Sequence, residues 1–131
     1  MIRIIDYGVG NIQAFLTLFK RLGIAAAKAS MPDDLQDAKR LILPGVGHFD
    51  HAMQRLQSSG LKSELERLVL QESVPFMGIC VGMQMLADRS DEGALPGLGW
   101  VPGHVKSFAS DPQMVNLPMP HMGWNTLTTK P

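Results

Sequence analysis

The chain has 131 residues, 45% of them apolar, which suits one domain with a buried core and gives no sign of a second. Twelve Lys and Arg balance twelve Asp and Glu, the sequence pI is about 6.9 and no run of like charge exceeds two, so neither nucleic acid nor an anionic membrane surface is the expected partner. The apolar runs are too short to span a bilayer, the start "MIRIIDYG" lacks a signal-peptide profile, and the single cysteine, Cys80, can form no internal disulfide, so the chain is read as cytoplasmic.

Taken in order, "IRII" at 2–5 is a short β-branched strand ending at the glycine corner Gly8-Val9-Gly10. Asn11 can cap the helix that follows. Ile12, Phe15, Leu16, Phe19 and Leu22 mark one face of that helix, and Gly23 supplies its left-handed stop. "GIAAAKAS" is a weak second strand, Pro32 opens a short acidic helix through Asp37, and "RLILP" is a third strand ending at the second glycine corner, "GVGHFD". Residues 51–59 and 61–72 read as helical, the latter with Leu61, Leu65, Leu68 and Leu70 on its apolar side. "VPFMGI" is a fully apolar run of the kind found in a central strand covered on both faces. Alternating strands and helices predict an α/β fold, a doubly wound, mostly parallel sheet, with its ligand outside the carboxyl ends of the strands. After Ala87 the chain turns rich in glycine and proline, so 89–104 reads as loop. "VKSF" and "VNLPMPHMGWN" read as strands or extended pieces.

Gly78-Ile79-Cys80-Val81-Gly82 places the thiol at a strand-to-helix turn between two glycines, the arrangement of a nucleophile elbow with sulfur in place of oxygen. An isolated cysteine is most often a small buried hydrophobe; the two flanking glycines after a buried-strand pattern favour the nucleophile. A helix starting near Val81 would offer N–H groups to a thiolate and to an oxyanion. A covalent thiol catalyst also needs a second oxyanion donor and a base. "LPGVGHFD" could supply the donor or be an ordinary tight turn. Of the four histidines, 48, 51, 104 and 121, His48 and His121 stand at predicted strand ends.

"GICVGMQ" resembles the nucleophile motif of the class I, or triad, glutamine amidotransferases. With "DYGVGN", "LPGVGHFD", "RSDEG", "GLGWVPG" and "PHMGWN" in the same order, the chain is most similar to the glutaminase subunit of imidazole glycerol phosphate synthase. The resemblance implies that Cys80 attacks the carboxamide of glutamine, and that the N–H groups of Val81 and Gly47, within the Pro44–Gly47 corner that includes Val46, form the oxyanion hole. It further implies that Val46, Gln84 and Glu92 contact bound glutamine, Glu92 suiting its ammonium. On the residues alone, Gln84 on the elbow helix and Glu92 in its loop read more readily as solvated side chains. Asn11, His121, Met122 and Trp124 lie in segments that the family uses against its partner, a (β/α)8-barrel cyclase that receives the ammonia as the second half of a heterodimer. The Met-Trp pair could also be core at a strand end. No cofactor or metal is implied.

The family's catalytic histidine and glutamate lie in a His-x-Glu segment beyond "PHMGWN", and no His-x-Glu or His-x-Asp pair follows Cys80 here. The chain is therefore expected to be the N-terminal portion of one amidotransferase domain, inactive or nearly so alone, with part of its sheet uncovered. Alternatives are the same chemistry serving another acceptor such as an amidino-sugar, a non-catalytic partner-binding subunit, or a flavodoxin-like protein with a redox-active elbow cysteine.

Overall fold

The computed structural model describes residues 1–112 and 123–129. Four parallel strands, β1 (Ile2–Ile5), β2 (Ala26–Ala29), β3 (Arg40–Gly45) and β4 (Phe76–Cys80), form one sheet in the order β2-β1-β3-β4. Between them run α1 (Ile12–Arg21), a 3₁₀ turn (Pro32–Leu35), α2 (Phe49–Ser58) and α3 (Lys62–Glu66), which passes into a π-helical turn (Arg67–Gln71). A single-turn helix, α4 (Val81–Gln84), follows β4. A small parallel pair, β5 (Arg89–Ser90) with β6 (His104–Val105), completes the described architecture. This is the expected doubly wound sheet, its strand order reversing between β1 and β3.

Side-chain alternation assigns the two faces. Ile5, Leu41 and Leu43 point into one cluster with Phe49, Met53 and Leu56 of α2, Leu61, Leu65 and Leu68, and Val81 and Met85 beside the elbow. Ile4, Ile42 and Met77, in register across β1, β3 and β4, face the other way. That second face is covered by α1, which buries no residue fully. A groove between Phe19, Ile2, Ile42 and Met77 stays open, and Met77 is 59% exposed. Among the described residues no strand pairs with the outer side of β4.

Several local readings hold. Asn11 caps α1, its Oδ1 accepting the Ala14 N–H at 3.1 Å, and Gly23 follows with φ +68°. The helix expected from 51 starts at Phe49, because His48 caps it by accepting the Asp50 N–H on Nδ1 at 3.2 Å. Others need correction. Leu70 is 57% exposed, not core; five positions past Leu65 it stands about 140° round the helix. "VKSF" continues as a strand only to Val105, and Phe108 lies in a 3₁₀ turn (Phe108–Ser110). The Ser107 N–H is taken by Asp91 at 2.8 Å and its hydroxyl accepts from Ala109, so neither is left for a ladder. Most of "VNLPMPHMGWN", including His121 and Met122, lies outside the described residues. Gly123 to Asn125 carry no regular structure.

One buried side chain ties three elements together. The Tyr7 hydroxyl, just beyond β1, donates to the Pro44 carbonyl at 2.7 Å and lies 3.7 Å from the Met85 sulfur. Burial pushes it well above the ordinary tyrosine value, so it stays a donor throughout the physiological range. Tyr7→Phe removes the donor from a buried carbonyl and is expected to cost about 1–3 kcal/mol. An unchanged urea midpoint would contradict this.

Candidate active site

Cys80 ends β4 with φ +57° and ψ −122°, a conformation that costs a residue with a side chain about 1–3 kcal/mol. It persists because its neighbours are packed backbone to backbone. At Gly78 a β-carbon would stand 2.5 Å from the Gly82 carbonyl oxygen and 2.6 Å from the Met83 Cα. One at Gly82 would overlap the Leu43 carbonyl oxygen, and one at Gly45 would overlap the Gly82 nitrogen and come within 2.7 Å of the Val81 carbonyl carbon. Gly45 and Gly82 thus let the end of β3 and the start of α4 touch directly, and Gly78 lets α4 turn back against β4. Val81 is buried at this junction while Cys80 is exposed. The helix after Cys80 is one turn long, so what it offers the sulfur is its first N–H groups, which have no intrahelical acceptor, rather than the field of a long helix.

Gly45 pairs with Cys80 across the β3–β4 ladder, so the corner at 45–47 begins beside the sulfur. Val46 is 58% exposed there, and Gly47 follows with φ +85° in open space. The first corner closes on the same strand end, since a β-carbon at Gly10 would lie 2.9 Å from the Pro44 Cβ. Val46, Gly47 and Val81 therefore sit at one sheet edge with Cys80.

Gln84 ends α4, one turn on from Cys80. Its Oε1 is buried and has no hydrogen-bond partner among the described residues, unlike a solvated surface amide. Glu92 is exposed in the turn after β5, its N–H donated to Ser90 Oγ at 3.2 Å. A residue not singled out in the sequence ties this turn to the rest: the Asp50 carboxylate accepts the N–H groups of Ala94 and Leu95, each at 3.0 Å. Only its place at the end of "GVGHFD", beside the corner, could have drawn notice. Asn11 is exposed and occupied as a cap, and Trp124 is fully exposed, not the core residue its alternative reading required. As for a base, His48 is engaged as a cap and His104 pairs through Nε2 with Asp91 at 2.6 Å. Among the described residues no histidine hydrogen-bonds the Cys80 sulfur.

Two carboxylates hold this second layer. The Ala94 and Leu95 N–H groups hold Asp50 below the usual carboxylate range; the Ser107 N–H does so for Asp91, helped by His104 and Ser110. A lowered folded-state pKa stabilises the fold above the unfolded value of about 4 and is lost as pH falls through the folded one. Amide exchange at Ala94, Leu95 and Ser107 is therefore expected to stay slow near neutrality and to accelerate below about pH 4, ahead of the β1 and β3 amides. Simultaneous loss in strands and loop would contradict this.

A family model for class I glutamine amidotransferases matches residues 3–130. The chain is 59% identical over 125 residues to the imidazole glycerol phosphate synthase subunit HisH of Bdellovibrio bacteriovorus, covering 95% of this chain and 61% of that protein. It is 47% identical over 129 residues to the subunit HisH 2 of Pseudomonas aeruginosa, covering 98% of this chain and 62% of that one. With HisH of Leptospira interrogans it shares 43% identity over 129 residues, 98% and 63% of the two chains. The chain thus spans less than two thirds of these relatives' length. A crystal structure of a glutamine amidotransferase superposes with TM-score 0.70 at 26% identity, covering 86% of this chain and 59% of that one. No described helix is long and apolar enough to cross a membrane.

Proposed function

Because this chain belongs to the class I glutamine amidotransferases, we propose that it carries the nucleophile half of a glutaminase subunit whose ammonia feeds a (β/α)8-barrel cyclase making imidazole glycerol phosphate in histidine biosynthesis. The observation that carries the reading is Cys80 held exposed at positive φ with the 45–47 corner beside it. That pairing sets a nucleophile next to backbone donors, which is what acyl transfer from an amide requires. The name shared by the three relatives favours this acceptor over an amidino-sugar.

In this mechanism the Cys80 thiolate attacks the carboxamide carbon of glutamine, and the carbonyl oxygen takes up the negative charge against the N–H groups of Val81 and Gly47. The C–N bond breaks, the departing nitrogen takes a proton and leaves as ammonia, and a glutamyl thioester remains on Cys80. Water then cleaves the thioester and releases glutamate. The base that carries these protons would be the histidine of a His-x-Glu segment further along the family's domain. Glutamine's ammonium pairs with Glu92, and the Gln84 side chain holds a polar group of the substrate. Val46 lines the entrance. Asn11 and Trp124 face the barrel, a surface to which the fully exposed Trp124 indole is suited; His121 and Met122, of the same partner-facing segment of the family, lie outside the described residues.

The test supplies amide-labelled glutamine to the complete protein with its barrel and follows glutamate, labelled ammonia and the labelled imidazole product together. Glutamate and labelled imidazole product are expected in equal amounts, with little labelled ammonia released free. Cys80 that is neither acylated by glutamine nor alkylated by diazo-oxo-norleucine would overturn the reading.

A further inference from the structure

We infer that Asp50 is a positioning residue that sets Glu92 at the correct height above the sheet edge by clamping the backbone of the loop carrying it. The inference rests on the reading of Glu92 as the ammonium partner of glutamine.

Asp50 lies 44 and 45 positions before the two N–H groups it accepts, so the contact joins two segments far apart in the sequence. Both carboxylate oxygens are used: Oδ2 takes Ala94 N–H and Oδ1 takes Leu95 N–H, each at 3.0 Å. Charge-assisted bonds of this kind are about twice as strong as neutral ones. The loop is shaped for the clamp. A β-carbon at Gly93 would overlap Asp50 Oδ1 and stand 2.8 Å from its Cγ and 2.9 Å from Phe49 Cδ1, so only glycine lets the chain lie against the carboxylate. The clamp is itself rigid, because Phe49 is fully buried and the Asp50 N–H is held by His48 Nδ1 at 3.2 Å.

Asp50 stands three residues after Gly47, on the helix that leaves the oxyanion corner. One short segment, 45–50, therefore places the donor for the carboxamide end of glutamine at its start and fixes the loop for the ammonium end at its finish. The distance between the two recognition points is then a property of a rigid helix start rather than of a free glycine-rich loop. Holding a charged partner in place before binding improves affinity by reducing the ordering cost. The acyl-transfer atoms lie elsewhere, so Asp50 acts on KM and not on kcat.

Four single variants and one double variant of the complete protein with its barrel test this by steady-state glutamine hydrolysis. Asp50→Ala is expected to raise KM about tenfold with kcat within about threefold. Asp50→Asn, which keeps one acceptor oxygen, falls between it and the parent. Gly93→Ala, which forces the loop off an intact Asp50, raises KM alike, and adds less than about twofold when combined with Asp50→Ala. Glu92→Gln calibrates the premise. If Glu92→Gln raises KM while Asp50→Ala and Gly93→Ala do not, or if either acts on kcat alone, the inference is overturned and the glutaminase reading stands. Full additivity of the Asp50 and Gly93 changes overturns it as well. An unchanged KM in Glu92→Gln removes the premise and the inference together. Should Asp50→Ala fail to fold, Asp50→Asn and Gly93→Ala decide the question by the same criteria.

Discussion

Gly82→Ala is expected to destabilise the protein by about 3 kcal/mol or more, the upper end of what overpacking costs. The added carbon would overlap the Leu43 carbonyl oxygen and stand 2.9 Å from its carbon and 3.2 Å from the Gly45 nitrogen. These are backbone atoms of a strand held on both sides by the parallel ladder, so no side-chain rotation relieves the overlap. Relief requires α4 to move off β3, which also takes Val81 out of the core and Cys80 away from the 45–47 corner. Gly60→Ala is the matched comparison: φ is +76° there but nothing lies within 4 Å, so only the backbone penalty of about 1 kcal/mol applies. Urea denaturation of both variants checks the contrast. Equal midpoints would show that the strand-to-helix contact is not what holds the elbow.

Cys80→Ser in the complete protein is expected to lower glutamine hydrolysis by roughly four powers of ten or more, because a hydroxyl is a far weaker nucleophile than a thiolate at neutral pH. The cyclase step supplied with free ammonia should be untouched. Cys80→Gly separates stability from chemistry. It abolishes turnover too, yet is expected to stabilise the fold by about 1 kcal/mol, because glycine adopts φ +57° without a Cβ penalty. A thermal midpoint that rises as activity vanishes would identify strain kept for function. Retained glutaminase activity in Cys80→Ser would remove Cys80 from the mechanism.

Much of the sheet was legible because its signals are local. The β-branched run at 2–5, the periodic apolar face of α1 with Asn11 and Gly23 at its ends, and the apolar run at 74–79 each specify their own backbone, but the last is not the doubly covered central strand expected of it: β4 is the outermost described strand and Met77 is 59% exposed. The readings that failed depended on partners far along the chain. Ser107 left the expected strand because Asp91, sixteen positions earlier, claimed its N–H. The alternative of a solvated Gln84 fails because its Oε1 is buried.

The sequence by itself determined that Cys80 stands at a glycine-flanked strand end and that a second glycine corner accompanies it, since glycine spacing records where side chains are excluded. It could not say what excluded them. Tertiary structure decided that: Gly82 and Gly45 are glycines because β3 and α4 meet backbone to backbone, Gly93 because the Asp50 carboxylate lies against it. It also decided that Tyr7, from the first corner, holds the Pro44 carbonyl of the second. Such contacts join residues tens of positions apart, and only the folding of the parallel sheet brings them within reach.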